Sequence, residues 1–253
     1  MEQRIKKKEY LLRHNTVLLR RRLWLGAALL VSVLIFIVFL SLIMPWTEEK
    51  ALCRSFRQGL QAKVVQADIG ASSAWHLLIG KSESIDLMME FDDSSLLTLA
   101  LLHAHWGPSN VALALMRRGK GGERDAEPTA TELYWDESRL ATYLNKVQRE
   151  VLVSQVQINA EQVEIYGSIM LNGGRHNIYL AGSPQSNDIG QVVFKASEWR
   201  AEGLTPTEQL KESICEALSY EPDLSPLAWK VWAKQVELSP GQMRVYGSSS
   251  CCH

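Results

Sequence analysis

QVQINAEQVEIYGS, residues 155–168, lies without a gap over QVELSPGQMRVYGS, residues 235–248; the offset is 80 and six of the 14 positions are identical. Each copy reads as strand, turn, strand. In the first, Val156 and Ile158 alternate with polar neighbours before Asn159-Ala160, and Val163 and Ile165 alternate from there to Tyr166-Gly167, the period of two expected of a half-buried strand. Ser239-Pro240-Gly241 marks the same turn in the second. A helical pattern precedes each copy. Residues 136–152 place Leu140, Leu144, Val147 and Val151 on one stripe. Ahead of the second, Thr205 reads as N-cap, Pro206 falls in the first turn and Glu208 closes a capping box, with Leu210, Ile214 and Leu218 as the stripe. Two helix-then-hairpin units in succession predict an α+β fold with mostly antiparallel pairing. Duplication of one unit explains the gapless match; two hairpins sharing a common strand pattern is the plainer alternative.

Strand signals continue between the copies. Asn172-Gly173-Gly174 is a hairpin turn of the kind that supplies positive φ, joining residues 163–171 to residues 175–182. On these arms Val163, Ile165, Ile169 and Leu171 share a face that Ile178 and Leu180 can meet. Residues 183–190 read as a polar loop, and residues 191–196 as a strand with Val192, Phe194 and Ala196 on one side. Upstream, Thr47 can cap a helix running to about residue 58, and residues 62–69, 84–91, 95–103 and 111–116 are strand candidates. The run Leu96, Leu97, Leu99, Leu101, Leu102 is apolar on both faces, so it belongs centrally in a sheet or under a helix. Residues 117–131, rich in Gly and charge, form the clearest internal loop, dividing a first part from the repeat-bearing part.

At the N-terminus, 22 residues without a charge run from Leu23 to Met44 behind Arg20-Arg21-Arg22. At about 1.5 Å per helical residue they span roughly 33 Å, a transmembrane helix candidate. Residues 1–22 hold eight Lys/Arg against Glu2 and Glu9, a basic tail that the positive-inside rule assigns to the cytoplasm, and Trp24 and Trp46 stand where aromatic belts stand. The apolar core exceeds that of a signal peptide and no A-x-A site follows it, so an uncleaved anchor is expected. The chain then divides into a cytoplasmic tail (1–22), a membrane helix (23–44) and an extracytoplasmic domain (47–253).

The remainder carries 19 Lys/Arg against 26 Asp/Glu, a net of −7. That is a poor nucleic-acid binder. Cys53 and Cys215 have the option of pairing in an oxidising compartment, whereas the neighbours Cys251 and Cys252 would form a strained bridge. No nucleophile triad, phosphate loop or paired carboxylate stands out, so no catalytic residues, metal or cofactor are assigned and no enzyme activity is expected. His103 and His105 alternate on a strand and offer half a metal site; two ligands lack a third, and strand-end packing is the plainer role. Cys251-Cys252-His253 offers soft ligands on a terminal tail. Gly119 to Gly122 (GKGG) lacks the strand and helix that a phosphate cradle needs.

What carries functional weight is the number of one-sided apolar strands with glycine breaks. Gly167, Gly182 and Gly247, near strand ends or bends, permit curvature that can leave a groove beside a helix. LLIGKSESIDLMME (77–90), QVQINAEQVEIYGSIMLNGGRHNIYLAG (155–182) and VELSPGQMRVYG (236–247) together resemble the LmeA-like phospholipid-binding family, over most of the chain from about Leu52. The resemblance implies a bacterial envelope protein with half of a tubular lipid-binding fold, a long helix against a curved antiparallel sheet and phospholipid between them. It carries over only the turn glycines Gly80, Gly167 and Gly247. The uncleaved anchor and the Cys251-Cys252-His253 end depart from its pattern.

The expectation is therefore a transmembrane helix followed by a curved, mostly antiparallel sheet packed on one or two long helices. Phospholipid or a related lipid would sit in an apolar groove lined by Val163, Ile165, Ile178, Leu180, Val192 and Phe194. The alternative is an envelope scaffold with a solid core that meets protein partners through its surface.

Overall fold

The structure, a computed structural model, describes residues 2–70, 82–108, 128–147, 151–171, 173–203, 207–218 and 231–248. One long helix opens it, α1 (Glu2–Leu60), followed by β1 (Val64–Gly70), β2 (Ser84–Glu90), β3 (Leu101–Trp106) and β4 (Ala130–Asp136). Then come α2 (Glu137–Val147), β5 (Val151–Ile158), β6 (Val163–Leu171), β7 (Gly174–Ser186), β8 (Val192–Ala201), α3 (Glu208–Leu218), β9 (Trp232–Ser239) and β10 (Gln242–Ser248). The strands make two open sheets, β1-β2-β3-β4-β10-β9 and β5-β6-β7-β8, and every described pairing is antiparallel. The α+β class holds. Two sheets replace the single one expected, and α2 and α3 are short, 11 residues each. The six-stranded sheet draws strands from both sides of residues 117–131, β3 pairing with β4 and β4 with β10 of the second repeat hairpin.

Each sheet buries one face by the period of two. On the six-stranded sheet Ile85, Leu87 and Met89 of β2, Leu102, Ala104 and Trp106 of β3, and Leu133 and Trp135 of β4 face inward. From the other sheet Val163, Ile165, Ile178 and Leu180 join the same core. Leu52, Phe56 and Leu60, four residues apart on the last turns of α1, close it over β1.

Both predicted hairpins form in matching register. Ile158 pairs with Val163 in the first, and Leu238 with Met243 in the second, 80 residues on. Both also skip one residue: Ser154 is unpaired between Val153 and Gln155, and Lys234 between Ala233 and Gln235. The bulges again lie 80 residues apart, opposite Gly167 and Gly247. There the backbone passes too close for a side chain: a Cβ on Gly167 would stand 2.6 Å from the Leu152 carbonyl oxygen, and one on Gly247 2.8 Å from that of Trp232. A shared register with a shared bulge and a shared glycine supports duplication over coincidence. The residue before each bulge bonds outside its hairpin. Val153 exchanges two 2.7 Å hydrogen bonds with the Asn145 amide on α2, while the Ala233 amide donates to Gly190 O at 3.0 Å in the β7–β8 turn, which joins the two sheets.

Several sequence expectations are corrected. Thr47 starts no helix; α1 runs through it, and its hydroxyl bonds back to Met44 O at 2.9 Å. The helix before β5 stops at Val147, so Val151 and Leu152 belong to the strand. Thr207 accepts from the Leu210 amide at 3.3 Å and so caps α3; Thr205 and Pro206, read as its cap and first turn, lie outside the described residues. β7 continues to Ser186 through the expected polar loop, and β8 extends to Ala201. Residues 95–100 form no strand, and two of their carbonyls, with that of Phe91, accept from a buried cation. Arg139 of α2 donates to Leu99 O at 2.5 Å, Leu97 O at 3.3 Å and Phe91 O at 2.9 Å. Strand β4 went unread behind the Gly-rich run. The strand expected at 111–116, most of the loop at 117–131, Thr205, Gly80, Asn172 and Cys251-Cys252-His253 lie outside the described residues.

Helix α1 carries the apolar run, and its described side chains from Trp24 to Phe39 are exposed. Among the described residues no helix is long and apolar enough to cross a membrane. The side chains described without interruption cover only 24–39, short of the about 20 residues a span needs. The expected span over 23–44 is thus not shown.

Candidate functional site

An apolar recess lies where the two repeat units meet. Leu140 and Leu144 of α2 and Leu218 of α3 roof it; Val163 and Ile165 of β6, Pro184 of β7, and Val192 and Phe194 of β8 floor it; Met243 of β10 closes one side. Its volume is about 280 Å³, open solvent included. All nine lining residues are apolar and none titrates, so the recess can exclude water and hold hydrocarbon but offers no acid, base or nucleophile.

Local sequence explains each contribution. The stripe Leu140, Leu144 faces inward because α2 is fixed at both ends of β5. Asp136 caps the helix, accepting from the Arg139 amide at 2.8 Å. The Glu137 carboxylate accepts from the Ile158 amide at 2.8 Å, and Asn145 holds Val153. Pro184 is tolerated because β6 pairs with β7 only as far as Gly182, so nothing on that side needs the missing N–H. Gly182 marks a third register shift, with Ser197 of β8 skipped opposite it. A Cβ there would meet the Lys195 carbonyl oxygen at 2.2 Å.

Four residues singled out from the sequence, Val163, Ile165, Val192 and Phe194, come together in the lining. Ile178 and Leu180 are equally buried but pack in the adjoining core. Missed were Leu140, Leu144, Pro184, Leu218 and Met243. Two signals pointed to most of them: three lie on the helical stripes, and Met243 stands 80 residues after Val163, its repeat counterpart. The recess is thus faced by equivalent positions of the two hairpins.

His103 and His105 do not pack at a strand end. They project from the outer face of β3, half-exposed, toward Asp86 on β2, with His105 Nδ1 at 2.8 Å and His103 Nε2 at 3.6 Å from its Oδ1. Among the described residues no group of three or more His, Cys, Asp or Glu is placed to hold a metal ion. Cys53 and Cys215 are free thiols; burial is the main influence that pushes the Cys53 thiol up. GKGG lies outside the described residues.

Residues 42–248 match the model of a family described as LmeA-like phospholipid-binding. The chain belongs to the LmeA-like phospholipid-binding family. The match covers both sheets and the two helices, α2 and α3, that line the recess, and membership supports lipid binding. Comparison with curated proteins and with solved structures gave no match.

Proposed function

We propose that this protein holds a phospholipid, or a related lipid, by burying acyl chain in the recess between α2, α3 and the β6–β8 floor, and that it does so without covalent chemistry. The supporting observation is the convergence of nine apolar side chains from both repeat units on one recess, in a chain of a phospholipid-binding family. Each methylene taken from water is worth about 0.8 kcal/mol, so a chain of about 14 carbons has roughly 10 kcal/mol to offset its removal from the bilayer. With open solvent left out, the recess has room for little more than a water molecule. Full occupancy therefore requires α2 and α3 to lift from the sheet.

The same proposal makes residues 23–44 a single-pass anchor in the cytoplasmic membrane, with the basic tail in the cytoplasm and the sheets on the opposite side. Its support is the charge asymmetry together with the continuity of α1, whose exposed apolar stretch and core-packed Leu52, Phe56 and Leu60 share one unbroken helix. At about 1.5 Å per residue, Leu52 follows Phe39 by roughly 20 Å, which keeps the domain beside the bilayer.

One observation favours the scaffold reading: the recess is narrow, with room for little more than a water molecule. A phospholipid with a photoreactive acyl chain separates the two. Crosslinks on Leu140, Leu144, Ile165, Phe194 or Met243 are expected; labelling confined to residues 24–43 would leave only a tethered scaffold.

A further inference from the structure

The last turns of α1 carry two different faces. Leu52, Phe56 and Leu60 are buried over β1. Along another face Trp46, Lys50, Arg54 and Arg57 follow one another at steps of four, four and three, all exposed, which makes one stripe of a helix. The stripe opens two residues after Met44, where the uncharged run ends. Lys50 Nζ lies 3.4 Å from the centroid of the Trp46 ring, so indole and ammonium form a single unit with an apolar and a cationic part. Among the described residues no ion pair holds Arg54 or Arg57. Three cations on one face stand against the net −7 of the residues after Arg22. An acidic domain is repelled by an anionic surface except where such a patch meets it.

We propose that Trp46, Lys50 and Arg54 dock on the headgroup phosphates of anionic phospholipid in the bilayer, an inference that rests on the reading of residues 23–44 as the anchor. At about 1.5 Å per residue, Lys50 stands roughly 9 Å, Arg54 roughly 15 Å and Arg57 roughly 20 Å beyond Met44. The headgroup layer is about 5–7 Å thick. Side chains lean toward the N-terminus of their helix, here toward the bilayer, so Lys50 and Arg54 snorkel back to the phosphates and Arg57 is left above them. Trp46 takes the interfacial place that its ring favours. Anchors of this kind set the tilt of a membrane helix. The domain, carried on Leu52, Phe56 and Leu60 of the same turns, thereby takes a fixed lean over the lipid.

The test reconstitutes the full chain in phosphatidylcholine vesicles that carry a phospholipid with a photoreactive headgroup, in one series phosphatidylglycerol and in the other phosphatidylcholine. A parallel sample carries the acyl-labelled probe. A basic residue at an anionic surface is worth about fivefold. Labelling of residues 46–54 by the anionic probe is therefore expected to exceed that by the zwitterionic one, to fall with added salt, and to drop by about tenfold or more in Lys50→Gln/Arg54→Gln. Arg57→Gln should change it by about twofold or less. Unchanged acyl labelling at 24–43 shows that the variants still insert. Headgroup labelling that survives the double substitution, or that falls as far in Arg57→Gln, overturns the inference and leaves the anchor standing. Absence of acyl labelling at 24–43 in the wild type removes the anchor and this inference with it.

Discussion

Arg139 ties α2 to the segment between β2 and β3. It is 6% exposed and its guanidinium serves three backbone carbonyls, with the highly exposed Asp93 beside Nε. Carbonyls left unpaired in a buried place cost about 1–3 kcal/mol each. Arg139→Ala should therefore destabilise the domain by about 3 kcal/mol or more, read as a fall in denaturation midpoint, while Asp93→Asn should change it by less than about 0.5 kcal/mol. Equal effects would mean that the ion pair, not the carbonyls, matters. This residue also marks a limit of sequence reading. Leu97 and Leu99 are buried as their apolar run implied, but nothing in the run reveals that a side chain 40 residues away takes its carbonyls. Tyr134 gives a second measurable handle. Burial first, then its hydrogen bond to Glu132, pushes the phenol up to about 12. A raised folded value means that its contribution is complete below the ordinary tyrosine range and is lost as pH rises from about 10 to about 12. Tyr134→Phe should flatten the alkaline arm of the stability curve over that interval, and an unchanged arm would assign it to other groups.

Among the elements, the hairpins were the most legible, because periodicity of two, a turn signal and a second copy all agreed. Their bulges were not, although Gly167 and Gly247 flagged where side chains would be refused. Placing Val at Gly167, where every near obstacle is backbone, should cost about 3 kcal/mol; a tolerated Val there would show that the bulge can relax. Strand β4 has its own alternation, Thr131, Leu133 and Trp135, all buried. It was obscured by the charged Gly-rich run before it and by the helical pattern that begins at its last residue. The lining was half legible for a related reason. Strand faces announce which side is apolar, but only the packing of α2 and α3 determines which apolar residues meet each other and which border a recess. Hence Val163 and Phe194 line it while Leu180, from the same reading, is sealed at 0% exposure.

At the scale of the whole molecule, two duplicated hairpins lie in different sheets, joined where the β7–β8 turn meets β9 and where the Gly241 amide donates to Ile158 O at 2.8 Å. The recess falls at this junction, and the long α1 joins the apolar 24–39 stretch to the core without a break. If residues 23–44 span the bilayer, a reporter enzyme that is active only outside the cytoplasm should work when fused after Ser248 and fail when fused before Glu2; the reverse pattern would invert the topology. The central claim is that apolar side chains leave a hollow for an acyl chain and do not simply fill a core. It is tested most directly by purifying residues 42–248 from bacteria, extracting with organic solvent, and quantifying lipid by mass spectrometry beside the recess-filling variant Ile165→Trp. The account predicts close to one phospholipid per wild-type molecule and a loss of most of it in an Ile165→Trp protein that remains folded. A stable wild-type domain that carries no lipid, or lipid retained in full by the filled variant, would contradict it.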